Sequence, residues 1–185
     1  RQMCIRDSPE GAEETVRKTI ASFGGLHILI NNAGIFKSSG QTIDDRTNFW
    51  DVTPEKWSKI FAVNCSGPFH LAKASVGYMI AQKWGRIIGV TTSVDSMYRE
   101  GMSPYGPSKA CHEALVALMA RELEGTGVTA NVLIPGGTTA TNMIPKNLGY
   151  EKTTLIAPEI MDGPAVWLAS DESNSLNGHR LIAYN

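Results

Sequence analysis

Strand-like and helix-like segments alternate along nearly the whole chain, and this alternation restricts its fold more than any other feature. Short apolar runs predict four strands, at residues 26–31, 86–91, 128–135 and 179–184. Capped or amphipathic segments predict helices at residues 10–23, 53–82, 107–124 and 158–169, the second of them bent near Gly67 and Pro68. A chain patterned in this way folds into a parallel sheet covered by helices, so we predict an α/β domain.

Composition argues against several kinds of partner. The 17 basic and 18 acidic residues give a formal net charge of −1 and are scattered, so we expect no nucleic-acid partner. The longest apolar runs are too short to cross a bilayer, and the N-terminus lacks the apolar core of a secretory signal. We therefore expect no membrane partner and a cytoplasmic location. The 3 cysteines and 4 histidines show no ligand or pairing pattern, which favours incidental side chains over a metal site or a disulfide.

Polar and glycine-containing segments follow three of the predicted strands. They read Asn-Asn-Ala-Gly at 31–34, Thr-Thr-Ser at 91–93 and Pro-Gly-Gly-Thr at 135–138. Ligands bind such sheets at the carboxyl ends of their strands, so we expect these three segments to border one site. A glycine at a strand end lets a flat cofactor approach the backbone, and the hydroxyls are candidate hydrogen-bond donors.

Tyr105 and Lys109 lie four positions apart near the start of a predicted helix, which places both side chains on one face. A free tyrosine has a pKa of about 10, too high for a proton donor or acceptor at neutral pH. A nearby ammonium stabilises the phenolate and lowers that pKa. The pair is therefore a candidate for giving a proton to a ketone oxygen or taking one from an alcohol.

Asn64 lies in the middle of a predicted helix, within the apolar stretch Phe-Ala-Val-Asn. An asparagine on an exposed helix face would simply point to solvent. Its apolar neighbours indicate instead a buried position, where the amide needs hydrogen-bond partners.

Taken together, these segments resemble the short-chain dehydrogenase/reductases, of the 3-oxoacyl reductase-like type, over residues 9–185. Members carry an Asn-Asn-Ala-Gly motif, an Asn in the next helix, a Ser after the next strand, a Tyr-x-x-x-Lys motif and then Pro-Gly. All of these features occur here in that order, with the Thr-Thr-Ser group at 91–93 in the place of the Ser. The resemblance implies a Rossmann-type, doubly wound parallel sheet. It also implies an oxidoreductase that uses NAD or NADP to interconvert a ketone and a secondary alcohol.

The resemblance assigns a role to each matching residue. Tyr105 would be the general acid/base, Lys109 would lower its pKa and hold the nicotinamide ribose, and Asn64 would position a water of a proton relay. The remaining matches would border the cofactor, on its adenosine side (Asn31, Asn32, Ala33 and Gly34) or at its nicotinamide end (Pro135, Gly136, Thr138 and Thr141).

The hydroxyl that orients the substrate has two candidates. Family spacing, counted back from Tyr105 or forward from Arg86, indicates Thr92, whereas the family's residue type indicates Ser93. On an extended backbone the two side chains point to opposite sides, and a bulge at the strand end would exchange them. Both residues stay candidates at this point.

The family's Gly-rich phosphate-binding loop has no counterpart in this sequence. In the family that loop precedes the Asn-Asn-Ala-Gly motif by about two strand–helix units, on the order of 60 residues. We therefore expect a fragment that lacks the first three strands, leaving the first predicted strand with an open apolar edge and the fragment without measurable cofactor affinity. Residues 1–8 resemble a translated sequencing adapter, and so we assign the family domain to residues 9–185.

Several features leave alternatives open. The loop 37–50 is a surface insertion or a border of the active site. The apolar segment 138–156, with Met143, Ile144, Leu148 and Tyr150, would cover the nicotinamide and hints at a partly hydrophobic substrate such as a 3-oxoacyl thioester, with polyol oxidation also open. The family's helical interfaces imply a homodimer or homotetramer. A non-catalytic module of the same fold is the competing function, and an epimerase or dehydratase is a weaker one.

Overall fold

The computed structural model describes residues 8–36, 48–143 and 155–184. Its helices are α1 (Pro9–Phe23), α2 (Pro54–Phe61), α3 (Gly67–Ala81), α4 (Val94–Tyr98), α5 (Tyr105–Glu122) and α6 (Asp162–Leu168). Its strands are β1 (Ile28–Asn31), β2 (Gly85–Val90), β3 (Val128–Ile134) and β4 (Arg180–Ile182). All four predicted strands are present, and each end lies within two residues of its predicted position.

The four strands form one parallel sheet in the order β1-β2-β3-β4. Alternate residues of a strand face opposite sides, so Ile87 of β2 packs in a cluster with α3 and α5, while Ile88 packs with Leu168 of α6. Helices therefore cover both faces of the sheet, which confirms the doubly wound α/β fold. Within the described residues β1 pairs with β2 alone, and its side chains Ile28 and Ile30 are 38% and 46% exposed.

The helix predicted at 53–82 is interrupted. Thr53 caps α2 by accepting a hydrogen bond from the backbone N–H of Lys56, as predicted for a Thr-Pro start. A π-helical turn, Ala62–Ser66, then leads into α3. The irregularity lies one turn before Pro68, whose missing N–H removes a hydrogen bond to the preceding turn. π turns often occur at functional positions, and this one carries Asn64.

Other boundaries also differ from prediction. The predicted helix 107–124 begins two residues earlier, at Tyr105, and the predicted helix 158–169 is a 3-10 turn (Pro158–Met161) followed by α6. The short helix α4 was not predicted. Ser8 caps α1 by accepting a hydrogen bond from the Gly11 N–H.

Cys65 and Cys111 form a disulfide, so the expectation that the cysteines are unpaired was wrong for these two. Their Cα atoms are 6.3 Å apart although 46 positions separate them in the chain. The bond joins the π-helical turn to α5, a proximity created by packing rather than by any sequence spacing. Within the described ranges no three His, Cys, Asp or Glu side chains gather into a group that could hold a metal, and no helix is long and apolar enough to span a membrane.

Candidate active site

A cavity of about 750 Å³ lies at the carboxyl ends of β1, β2 and β3. Most of the predicted site residues line it: Asn32, Gly34, Thr92, Ser93, Tyr105, Lys109, Pro135, Gly136, Thr138 and Thr141. The structure thus brings together, at one edge of the sheet, segments that are far apart in sequence. Asn31, Ala33 and Asn64 are not among the residues that form the wall.

Tyr105 and Lys109 lie on one face of the first turns of α5, as their spacing predicts. Both are nearly removed from water, with 9% and 4% of their surface exposed, yet both line the cavity. The Lys109 Nζ donates a hydrogen bond of 2.9 Å to the carbonyl oxygen of Val90, the last residue of β2. The same nitrogen is 5.9 Å from the centre of the Tyr105 ring.

Burial dominates the electrostatics of this pair. It raises the pKa of the Tyr105 phenol above its ordinary value, and a hydrogen bond with the Thr92 side chain opposes that rise. Burial also lowers the pKa of Lys109 to about 8. The predicted effect of Lys109 on the Tyr105 pKa stays a prediction: in the protein alone burial is the largest effect on that pKa, and the Lys109 Nζ donates to the Val90 carbonyl.

Asn64 is 1% exposed and fully engaged in hydrogen bonds. Its Oδ1 accepts from the Ile35 N–H (2.8 Å), while its Nδ2 donates to the Ile35 carbonyl (2.9 Å) and to Ser108 Oγ (3.0 Å). Ser108 in turn donates to the Tyr105 carbonyl at 2.6 Å. The buried position of Asn64 is confirmed, and the amide ties the loop after β1 to the helix that carries Tyr105.

The two candidate hydroxyls have different surroundings. Ser93 is the N-cap of α4, where its Oγ accepts from the Ser96 N–H at 3.2 Å and bonds Ser96 Oγ at 2.9 Å. Thr92, by contrast, lines the cavity with Tyr105, and its side chain lowers the pKa of the Tyr105 phenol. The geometry favours the residue indicated by spacing over the one indicated by residue type.

Asn31, the last residue of β1, and Gly34, in the segment after it, occupy different environments. The Asn31 amide is buried and donates to the Pro68 carbonyl at 3.5 Å, so its side chain braces α3 instead of bordering the cavity. Gly34 lines the cavity, and a Cβ there would lie 3.2 Å from Asn64 Oδ1 and 3.3 Å from Lys109 Nζ. The absence of a side chain at Gly34 keeps this part of the cavity open.

The segment after β3 also contains a glycine at which a side chain would meet neighbouring atoms. Gly136 has a φ of +94°, and a Cβ there would lie 2.7 Å from the Tyr184 carbonyl oxygen. Beyond it, Thr139 and Ile156 form a parallel bridge, and Met143 lines the cavity. The lid residues Ile144, Leu148 and Tyr150 and most of the loop 37–50 lie outside the described residues, so their predicted roles remain predictions.

Sequence reasoning missed several residues at this site. Phe36 packs its ring edge-on against Tyr105 with centroids 4.9 Å apart, and Arg99, Met102 and Met161 also line the cavity. Ser108, which bridges Asn64 and Tyr105, stands inside the Tyr-x-x-x-Lys motif and could have been noticed as a buried hydroxyl one position before Lys109. The others lie on loops or short turns whose path the sequence does not predict.

A family model described as "short chain dehydrogenase" matches residues 2–150. A short-chain type dehydrogenase/reductase of Picea abies is 36% identical over 115 residues, which are 62% of this chain and 40% of that protein. A 3-oxoacyl-[acyl-carrier-protein] reductase of Vibrio cholerae is 30% identical over 183 residues, covering 94% of this chain and 71% of that protein. The crystal structure of a gluconate 5-dehydrogenase from Burkholderia cenocepacia in complex with NADP and tartrate superposes with a TM-score of 0.82 at 26% identity, over 96% of this chain and 70% of that one.

Proposed function

This chain belongs to the short-chain dehydrogenase family, and on that premise we propose that it carries the catalytic residues of an oxidoreductase that interconverts a ketone and a secondary alcohol with NAD or NADP. The observation that supports this most is the Tyr105 phenol at the cavity wall, hydrogen-bonded to Thr92 and one helical turn from Lys109. Reduction of a ketone requires one proton and one hydride, and the phenol is placed to exchange the proton.

The lining of the cavity supports a dinucleotide as the cofactor. It extends from Asn32 and Gly34 past Lys109 to Pro135 and Thr138, and a Cβ at Gly34 would narrow it between Asn64 and Lys109. These residues would hold the cofactor, with Asn32 and Gly34 toward its adenosine end and the segment 135–141 toward its nicotinamide end. When bound, the nicotinamide supplies or accepts the hydride at the substrate carbon.

The protein's own residues would handle the proton and the geometry. In the reductive direction Tyr105 donates its phenolic proton to the ketone oxygen, and in the oxidative direction the phenolate removes the proton of the alcohol. Thr92 donates a hydrogen bond that stabilises the phenolate. The Lys109 ammonium adds positive charge on the same face, and Asn64 holds the backbone on which these groups sit.

For the substrate we propose a 3-oxoacyl thioester. Apolar side chains of Phe36, Met102, Met143 and Met161 line the cavity and suit an acyl chain. The 3-oxoacyl-carrier-protein reductase among the relatives supports the same class. Acetoacetyl thioester turned over faster than a polyol would support this assignment, and preferential polyol oxidation would contradict it.

We further propose that this chain alone does not bind the cofactor measurably, because its sequence contains no counterpart of the family's Gly-rich loop. By the complete enzyme we mean this chain joined to such a loop. The loop contributes backbone N–H groups to the pyrophosphate, which is much of the dinucleotide's polar contact. A fluorescence titration with NADH and NADPH tests this. Micromolar binding by the 185-residue chain would contradict it.

Replacing Tyr105 with Phe in the complete enzyme tests the proposed activity. Loss of the proton donor should lower kcat by about 10²- to 10⁴-fold while the variant stays folded. Tyr78→Phe is the matched control, since Tyr78 is a half-exposed tyrosine on α3 away from the cavity. Undiminished turnover in Tyr105→Phe would leave the non-catalytic module as the better interpretation.

We also propose that the protein forms a homodimer or homotetramer and that it is located in the cytoplasm. Large apolar side chains are exposed on α2, α3 and α5, among them Trp57, Phe69 and Leu118. These are the helices through which the family usually associates. Size-exclusion chromatography with light scattering measures the oligomeric state directly.

A further inference from the structure

An ion pair outside the cavity contacts the segment that carries Thr92. Arg180 of β4 donates from Nε to the Glu113 carboxylate of α5, at 3.0 Å and 3.2 Å to its two oxygens. The two side chains are 30% and 20% exposed, so the pair is partly sheltered from water. Neither residue lines the cavity.

Both partners of this pair hold the end of β2. The Arg180 Nη2 donates to the Thr92 carbonyl oxygen at 2.8 Å, which requires the guanidinium to reach across β3. The Glu113 carboxylate accepts from Thr91 Oγ1 at 2.5 Å. The Thr91 backbone is anchored as well, because its N–H donates to the Leu133 carbonyl at 3.2 Å.

These contacts restrain the backbone that carries the Thr92 side chain. With the hydroxyl of Thr91 tied to Glu113 and the carbonyl of Thr92 tied to Arg180, the backbone around Thr92 has little freedom to rotate. Thr92 and Tyr105 both line the cavity, so holding the backbone at Thr92 fixes where its hydroxyl lies relative to the Tyr105 phenol.

We propose that Arg180 and Glu113 are positioning residues, which hold the Thr92 hydroxyl in hydrogen-bonding distance of the Tyr105 phenol without touching the substrate themselves. This inference rests on the proposed function for its consequence in turnover, but its structural part does not. A bidentate guanidinium suits the task, since its fixed fork serves the carboxylate and the backbone carbonyl together.

The direct test is a double-mutant cycle read on the phenol of Tyr105. The chain is labelled with ¹³Cζ-tyrosine, the Tyr105 resonance is assigned by its loss in Tyr105→Phe, and its pKa is titrated by NMR. Both Arg180→Met and Thr92→Val should raise this pKa, because each removes the Thr92 hydrogen bond from the phenolate. The double variant should titrate like Thr92→Val alone.

Two results would overturn the proposal. One is an unchanged Tyr105 pKa in Arg180→Met. The other is that Arg180→Met raises the Tyr105 pKa by the same amount whether residue 92 is Thr or Val, which would show that Arg180 acts by another route. Arg17→Met is the matched control, since Arg17 pairs with Glu14 on the surface of α1 and should leave the titration unchanged. If Arg180→Met does not fold, Glu113→Gln replaces it, with a smaller shift in the same direction expected and no shift counting against the proposal.

A kinetic measurement on the complete enzyme separates this inference from the proposed function. Arg180→Met should lower kcat about fivefold, the equivalent of one ordinary hydrogen bond, with the KM for the cofactor unchanged. An effect on the cofactor KM alone would argue against positioning of Thr92. Full turnover in Tyr105→Phe would refute the proposed function, while the NMR cycle would still decide the role of Arg180.

Discussion

Replacing Gly106 with Ala should displace the helix that carries the candidate catalytic tyrosine. Gly106 is the second residue of α5, and a Cβ there would lie 2.1 Å from the carbonyl oxygen of Met97 in α4 and 2.9 Å from its carbonyl carbon. Nonbonded carbon and oxygen atoms approach to about 3.3 Å, so the two backbones must separate by about 1 Å. Because the obstacle is backbone, no side-chain rotation relieves the contact.

The expected magnitude follows from two opposing effects. Overpacking of this kind costs about 3 kcal/mol, and Ala gains about 1 kcal/mol over Gly inside a helix, which leaves a net loss of about 2 kcal/mol. For a chain of this size that corresponds to a fall in Tm of about 4–8 °C, measured by circular dichroism. Gly77→Ala in α3 is the matched control, because a Cβ there meets nothing within 4 Å and should raise the Tm. A Gly106→Ala variant as stable as Gly77→Ala would refute the reasoning.

Three further perturbations test the surroundings of the site. The Cys65–Cys111 disulfide joins residues 46 positions apart, and its reduction should lower the free energy of unfolding, measured in urea, by about 4 kcal/mol. A thiol assay should count one reactive thiol before reduction and three after it. An unchanged urea midpoint would argue against the bond. Burial lowers the pKa of His112 to about 4, so as the pH falls the unfolded chain binds a proton at this residue before the folded chain does. The free energy of unfolding should therefore decline by about 3 kcal/mol between pH 6.5 and 4. His112→Leu should flatten this decline, and an identical slope in the variant would exclude His112 as its source. Asn64→Leu should lower the free energy of unfolding by about 2–3 kcal/mol, because it leaves the Ile35 N–H and carbonyl groups without their partner. An unchanged free energy of unfolding in chemical denaturation would contradict the bonds described above.

Sequence patterns predicted the parts of this molecule that depend on local order. The alternation of strand and helix patterns is enough for a parallel sheet, because each strand's neighbours in sequence are also its neighbours in space. The position of Tyr105 and Lys109 on one face follows from helical periodicity alone. The clustering of the strand-end segments follows from the parallel arrangement, which brings all carboxyl ends to one edge.

The remaining features depend on contacts between distant segments. Arg180 reaches Thr92 and Glu113 only because β4 pairs beside β3, and no local spacing reports that pairing. The disulfide between Cys65 and Cys111 has the same origin. A four-residue spacing places an ammonium near the Tyr105 phenol but contains no information on how thoroughly both groups are desolvated, and burial is what raises the pKa of Tyr105 here.

Family spacing indicated Thr92 and residue type indicated Ser93, and the structure gives these two hydroxyls different surroundings. Ser93 is used by the backbone as the N-cap of α4, a short helix that the sequence did not predict. Once that helix is present, Thr92 is the hydroxyl that bonds Tyr105. The spacing argument for Thr92 stays a prediction that these surroundings favour, because the position of a side chain relative to the sheet is set by register rather than by residue type.

The most direct test of the account is the transfer of deuterium from cofactor to substrate. The complete enzyme is incubated with 4-deuterated NADH or NADPH and an acetoacetyl thioester, and the product is analysed by mass spectrometry. The account predicts a 3-hydroxyacyl product one mass unit heavier with the native enzyme and with Tyr78→Phe, and its near absence with Tyr105→Phe. A product without deuterium, or equal labelled product from Tyr105→Phe, would contradict the claim that Tyr105 supports hydride transfer at this site.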